Sequence, residues 1–278
     1  MRRCPRTIGD LIPHKLTAAR MIYREFQPTR SLRPYVMAYW YFRVPLGTGA
    51  VRHLIPLTGG ALLAVCPSVG SVSLGGPRLQ PLQLTLPENI EFFGVHFRPG
   101  STQALLHLSG PSLRDVRVEA DEIFGQEWAV QLLDRLKAIR SVRNAASVFD
   151  SQLTALQPCR SQLDRPVMKA VSLILRSEGK LPMTHVAREA GLSARQLRRR
   201  FRVATGLCPK ELAFLRRVRS AVLDAIDDPA MRWIDIAAER GYADQSHLIR
   251  EFRRTLGVTP IDFMKHARRI KHVRVQRG

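Results

Sequence analysis

Two stretches decide how this chain is read: VAREAGLSARQLRRRFRVATGLCP, Val186 to Pro209, and IAAERGYADQSHLIREFRRTLGVTP, Ile236 to Pro260. They are copies of one pattern. Ala187, Glu189 and Gly191 recur as Ala237, Glu239 and Gly241, and Leu197, Arg199, Phe201, Gly206 and Pro209 recur as Leu248, Arg250, Phe252, Gly257 and Pro260. The first set is offset by 50 residues and the second by 51, so the turn between them differs by one residue. An internal repeat of this kind is one supersecondary unit used twice.

Each shared position has a physical task. The apolar residues before the glycine (Val186, Ala187 and Ala190, or Ile236 and Ala237) pack a short helix, and the alanines let the next helix approach closely. Gly191 and Gly241 stand where that helix stops and a left-handed residue is wanted. Ser193 and Asp244 supply N-cap oxygens for a second helix. On that helix Leu197 and Phe201 share a face, as do Leu248 and Phe252. Gly206 and Gly257 end it, and Pro209 and Pro260 open the next. Thr259 can cap the helix it precedes, whereas Cys208 at the matching place is a poorer cap. Two helices joined by a tight glycine turn, the second one basic, form the helix-turn-helix signature.

With Leu197 and Phe201 inward, about 100° per residue puts Arg195, Arg199 and Arg202 outward, flanked by Arg198 and Gln196. In the second copy the outward set is Gln245, Ser246, His247 and Arg250, with Arg253 and Arg254 further along. Arginine reads guanine bidentately and glutamine reads adenine. A solvated arginine face on an ordinary helical bundle is the competing explanation of one such helix. Two copies with matching caps and glycines argue against it. Between the copies, PKELAFLRRVRSAVLDAI carries Leu212, Leu215, Val218, Val222 and Ile226 at helical spacing, which predicts a helix linking the two units.

Charge points the same way. The 278 residues carry 44 Lys+Arg against 23 Asp+Glu, a net charge of +21. Residues 159–278 hold 26 basic and 12 acidic residues, against 18 and 11 in residues 1–158, so the excess is concentrated in the repeat. A local basic excess is the footprint of a polyanion binder.

The segment resembles the AraC family DNA-binding domain. The residues that carry the resemblance are AREAGLSARQLRRRF with GLCPKEL, and IAAERGYADQSHLIREF with TLGVTP and DFMKHARR. The resemblance implies a seven-helix domain whose two recognition helices enter adjacent major-groove segments about 34 Å apart. It implies base contacts at Arg195, Arg198 and Arg199 in the first unit and at Gln245, Ser246 and Arg250 in the second.

Residues 21–115 read differently. Short apolar stretches (YVMAYWYFRV, VRHLIPLTG, ALLAVCPS, IEFFGVHFRPG) are separated by proline and glycine, and prolines crowd between Pro28 and Pro111. This predicts strands in a small sandwich or barrel. Residues 22–115 loosely resemble the N-terminal domain of some AraC-type regulators, through REFQPTRSLRPYVMAYWYF, His53 to Pro56 and FFGVHFRPGSTQALL, although LTGGALLAV lacks the acidic residue common near Pro56. From Glu122 the period becomes helical: Trp128, Leu132, Leu133, Leu136 and Ile139 share one face, and SVFDSQLTAL continues in the same style.

The fold class expected is α+β multidomain. A leader (1–20) precedes a small β-barrel-like sensor or oligomerisation domain with trailing helices (21–156). A linker (157–163) leads to an all-α domain of two helix-turn-helix units joined by a linker helix (164–270, units at about 184–205 and 234–256). A basic tail (271–278) follows. Cys4, Cys66, Cys159 and Cys208 are scattered, which fits a reduced cytoplasm better than a disulfide framework. No run approaches the ~18 apolar residues of a membrane span, and no apolar stretch follows the basic N-terminus as a signal peptide requires. His53 and His96 lack the clustered partners of a metal site. No nucleophile triad, paired carboxylates or phosphate loop is apparent. The expectation is therefore a non-enzymatic bacterial transcription regulator without cofactor or metal. Its partners would be double-stranded DNA, a small-molecule effector at the N-terminal domain, RNA polymerase and a second copy of itself. The alternatives are a DNA-repair alkyl acceptor, for which Cys66 and Cys4 lack an activating setting, and a non-specific nucleic-acid binder.

Overall fold

A computed structural model describes residues 21–55, 57–80, 82–228, 230–267 and 270–274. The leader and the last residues of the basic tail lie outside them. The strands are β1 (Met21–Phe26), β2 (Val36–Val44), β3 (Val51–Ile55), β4 (Leu62–Cys66), β5 (Ser71–Gly75), β6 (Leu82–Leu86) and β7 (Ile90–Phe97). Short helices α1 (Thr102–Leu106) and α2 (Gly110–Leu113), strand β8 (Arg117–Glu119) and helices α3 (Asp121–Phe124), α4 (Gln126–Lys137) and α5 (Ala145–Thr154) complete the N-terminal part.

Strand β2, VMAYWYFRV, organises this part. It is nearly continuous in aromatic and β-branched residues, as a strand buried on both faces must be, and it lies between β1 and β7 with Tyr39 opposite both Phe26 and Val95. Tyr39 and Tyr41 turn to one face, where they join Phe93, Val95, Phe97, Leu105, Leu132 and Phe149 under the helices. Asp150 on α5 pins the helices to the sheet, accepting hydrogen bonds from Tyr39 Oη at 2.7 Å and from Thr29 N at 3.0 Å. Trp40 and Phe42 turn to the other face.

The helical part comprises α6 (Arg165–Arg176), α7 (Met183–Glu189), α8 (Ala194–Thr205), α9 (Pro209–Asp227), α10 (Trp233–Glu239), α11 (Gln245–Leu256) and α12 (Pro260–Ala267), followed by β9 (Ile270–Arg274). One core joins Val167, Ile174, Val186, Leu197 and Phe201 to Leu212 of α9. A second joins Leu215, Val218 and Val222 of α9 to Ile236, Leu248 and Phe252. Helix α9 thus serves both units, as its stripe implies.

A β-rich N-terminal part followed by a helical C-terminal part is as expected, and two details are added. The described strands do not close into a barrel. They form one open seven-stranded sheet in the order β8-β5-β4-β7-β2-β1-β9 and a separate two-stranded ribbon, β3-β6. Closure needs the two edge strands to meet, and here the edges are the short β8 and the late β9. The segment at the start of the basic tail forms a strand: β9 pairs in parallel with β1, from Met21 opposite Ile270 to Glu25 opposite Arg274.

Candidate nucleic-acid interface

In the first unit the caps form as the sequence implies. Ser193 Oγ accepts from Gln196 N at 3.2 Å while Gln196 Oε1 accepts from Ser193 N at 2.9 Å, a reciprocal capping box. Gly206 closes α8 in the left-handed region at φ +74°, and Gly191 holds the turn at φ +67°. Leu197 and Phe201 are buried, which leaves Arg195, Arg198, Arg199 and Arg202 exposed along one side of α8. Gln196 is exposed too, but its side chain is engaged in the cap. Arg200, which the pattern did not single out, donates two hydrogen bonds of 2.8 Å to Asp164 and ties α8 to the start of α6.

The second unit repeats the geometry. Asp244 Oδ1 accepts from His247 N at 2.6 Å, and Gly257 ends α11 at φ +70°. Ser246, Arg250 and Arg253 are exposed and Gln245 is half-buried. His247 behaves differently. Its ring meets Tyr242 edge-on at 5.5 Å between centroids, and Nε2 lies 3.5 Å from Glu251 Oε1. The ring packs the turn instead of standing clear of it. Arg254 stacks over Phe214 of α9 at 4.4 Å. Both units therefore present an outward basic face from a second helix held by caps, glycines and a shared linker helix.

Sequence reasoning did not reach the contacts between the two halves of the chain, because their partners lie far apart in sequence. Arg114 at the end of α2 donates to the Gly206 carbonyl at 3.0 Å and to both oxygens of Glu211 at 3.3 and 3.1 Å. Glu211 also accepts from Cys208 N at 2.6 Å, so it caps α9 where Cys208 is a poor cap. Hydrogen bonds from Cys208 N and Arg114 hold the Glu211 carboxyl below its ordinary range against the opposing effect of burial, the largest single influence on it.

A cavity of about 240 Å³ lies between the Trp40 face of the sheet and the helical part. Tyr23, Trp40, Phe42, Phe92 and His96 line the sheet side, and Val218, Arg219, Val222, Leu256 and Phe263 the helical side. Among the described lining residues none is Asp or Glu, whereas Arg78, Arg117 and Arg219 all reach it. Tyr23 Oη donates to buried Glu25 at 2.9 Å and sits 3.3 Å from His96 Nε2. Burial, and then the charge of Arg219, lower the His96 pKa to about 3, so this imidazole is neutral at pH 7. His53, on the β3-β6 ribbon, stacks on Phe42 at 4.3 Å.

Comparison with known proteins agrees with this geometry. Residues 186–266 match the helix-turn-helix domain family, and residues 24–119 match a domain of unknown function, DUF6597. The helix-turn-helix domain thus follows the DUF6597 domain along the chain. Solved structures of ToxT from Vibrio cholerae are similar at 12% identity, covering 88% of this chain and 97% of that one at a TM-score of 0.44. A ToxT structure bound to an unsaturated fatty acid is 13% identical, covering 94% of this chain and 100% of that one at a TM-score of 0.41. No curated protein matches the chain. No helix among the described residues is long and apolar enough to cross a membrane.

Proposed function

We propose that the chain is a sequence-specific regulator that reads two adjacent major-groove segments, one with α8 and one with α11. The observation that carries this reading is the pair of matched units on α9, each with an open basic face. Arg195, Arg198, Arg199 and Arg202 serve the first groove segment, and Gln245, Ser246, Arg250 and Arg253 the second. Contacts to base edges give specificity, and arginine–phosphate contacts give much of the affinity and make it salt-dependent. Gln196 and His247 support their turns in this reading and reach DNA only if the cap or the Glu251 contact opens. Regulation through RNA polymerase and assembly as a homodimer belong to the same reading.

The DNA-binding part is modulated by an effector in the cavity. A single water needs about 10–15 Å³ on a comparable measure, so a small organic molecule fits the space. Apolar walls, arginines and the lack of a carboxylate among the described lining residues favour an apolar molecule with one acidic group. Selection of bound duplexes from random DNA, with and without cell extract, tests both parts. A recurrent bipartite site is expected. Binding without sequence preference would leave only the non-specific binder. Transfer of a methyl group from alkylated DNA to a cysteine, read by mass spectrometry, would replace this reading with the repair protein.

A further inference from the structure

The repeat supplies an internal control for one residue. Where the first unit has Ala190, the second has Arg240, and both are buried. The helix-turn-helix geometry is satisfied by alanine at this place, so the guanidinium answers another demand. A buried arginine is costly unless it is paired and hydrogen-bonded. Arg240 is fully engaged. Its Nε and Nη2 donate to the two carboxylate oxygens of Asp224, near the end of α9, and its Nη1 donates to Glu178 in the turn between α6 and α7.

One cation therefore joins the second unit, the linker helix and the first unit. Apart from this the units keep separate apolar cores, each resting on its own part of α9. Among the described ion pairs, Arg240–Glu178 is the one that runs directly from one unit to the other. The receiving end is rigid. Glu178 occupies the left-handed region at φ +55°, and a Cβ on the next residue, Gly179, would lie 2.0 Å from the Ala213 carbonyl oxygen. Backbone contact with α9 thus fixes where Glu178 stands.

We propose that Arg240 is a positioning residue that, through Asp224 and Glu178, sets the separation and rotational phase of the two recognition helices and so the half-site spacing the protein accepts. This rests on the proposed reading of two adjacent groove segments. The apolar contacts with α9 fix the distance of each unit from that helix. They resist rotation about it weakly, because apolar packing is not directional. A bidentate bond on one side of α9 and a second bond across to the first unit do resist it. Spacing is a demanding readout, since one base pair shifts a half-site by about 3.4 Å and about 35° around the duplex.

The test uses the full-length protein, the site it selects from random DNA, duplexes with one base pair added or removed between the half-sites, and each half-site alone. Wild type is expected to lose on the order of tenfold or more in affinity at either altered spacing. Glu178→Gln, at a half-buried position that tolerates an isosteric amide, and Arg240→Ala should bind the selected site more weakly. Both should discriminate the three spacings by less than about threefold, as loss of a shared interaction predicts, and should bind single half-sites as wild type does. Arg240→Lys, which keeps the charge without the fork, should fall between. Wild-type spacing discrimination in a folded Glu178→Gln protein overturns the proposal. So does an equal loss at every spacing and at single half-sites, which would mark a purely structural role. If wild type selects no site, the reading beneath the proposal fails and the proposal with it.

Discussion

Gly110 is where the N-terminal part bears directly on a recognition helix. A Cβ built there would lie 2.3 Å from Gly206 N, 2.6 Å from Thr205 C and 2.7 Å from Thr205 N. These are backbone atoms at the end of α8, so no side chain can swing away. Carbon contacts settle near 3.5 Å, so Gly110→Ala must push α2 and the end of α8 apart by about 1 Å. Arg114, four residues on, spans the same seam. A displacement of that size stretches its 3.0 Å bond to the Gly206 carbonyl and its bonds to Glu211 beyond useful length. Hydrogen bonds to charged groups contribute about 1.5–3 kcal/mol when buried. Arg114 and Glu211 side chains are 29% and 25% exposed, which reduces this through solvent screening. Docking should weaken by about 2 kcal/mol, roughly thirtyfold in the docked population. The seam gives before the cores, because Gly110 puts no side chain into either of them. Calorimetry should therefore resolve two unfolding transitions where wild type has one, and hydrogen exchange at Gly206 and Leu207 should accelerate. A single transition at the wild-type temperature with unchanged exchange would refute the argument. Gly191→Ala is the contrasting case: a Cβ there would meet nothing within 4 Å, so only the left-handed backbone opposes it, at about 1 kcal/mol.

Other outcomes follow from the same geometry. Phe201→Ala empties the centre of the first helix-turn-helix core and should cost about 3–5 kcal/mol in chemical denaturation; a loss below about 1 kcal/mol would mean that α8 is not packed as described. Arg199→Ala and Arg250→Ala should each cost about 1–3 kcal/mol at a selected site and little on random DNA, measured by competition binding; equal loss on both would deny them base-reading roles. His96, beside Tyr23 and facing Arg219, stays neutral in the fold down to about pH 3, whereas an ordinary histidine takes up its proton near pH 6.5. The unfolded chain then binds the extra proton. The contribution is complete above pH 6.5 and is lost as pH falls, by up to about 1.4 kcal/mol per unit below that point. His96→Asn should flatten this part of the stability–pH curve relative to wild type, and an unchanged slope would place the titration elsewhere.

The helical half was legible in the sequence because its determinants are local. A capping serine, a left-handed glycine and two apolar residues four apart specify a turn of chain without reference to anything distant, and Ser193, Gly206, Leu197 and Phe201 do as the pattern says. The second helix of each unit was legible for the same reason. The sheet was not. Alternation in β2 tells which residues share a face, yet nothing in VMAYWYFRV names β1 and β7 as neighbours, and an open sheet and a barrel show the same alternation. Ile270–Arg274 lacks a strand's alternation, since Ile270 and Val273 are three apart, and its lysine, histidine and arginine led it to be read with the basic tail. Nothing local marks Arg114 or Arg240, since their carboxylate partners at Glu211, Asp224 and Glu178 are set by tertiary packing. Helical angle put Gln196 beside the outward set and His247 within it, but angle does not reveal that a neighbouring backbone or side chain already engages them.

The parallel pairing of β9 with β1 has a consequence for biosynthesis. Strand β1 emerges from the ribosome among the earliest described residues and β9 among the last. Until the helical part has been made, β1 is the outer strand on that side of the sheet, and an open edge is a template for pairing with other chains. Once β9 has paired, the outer strand is no longer MIYREF but IKHVR, so that margin of the sheet passes from a largely apolar strand to one rich in charge, as edges that resist pairing with other chains are.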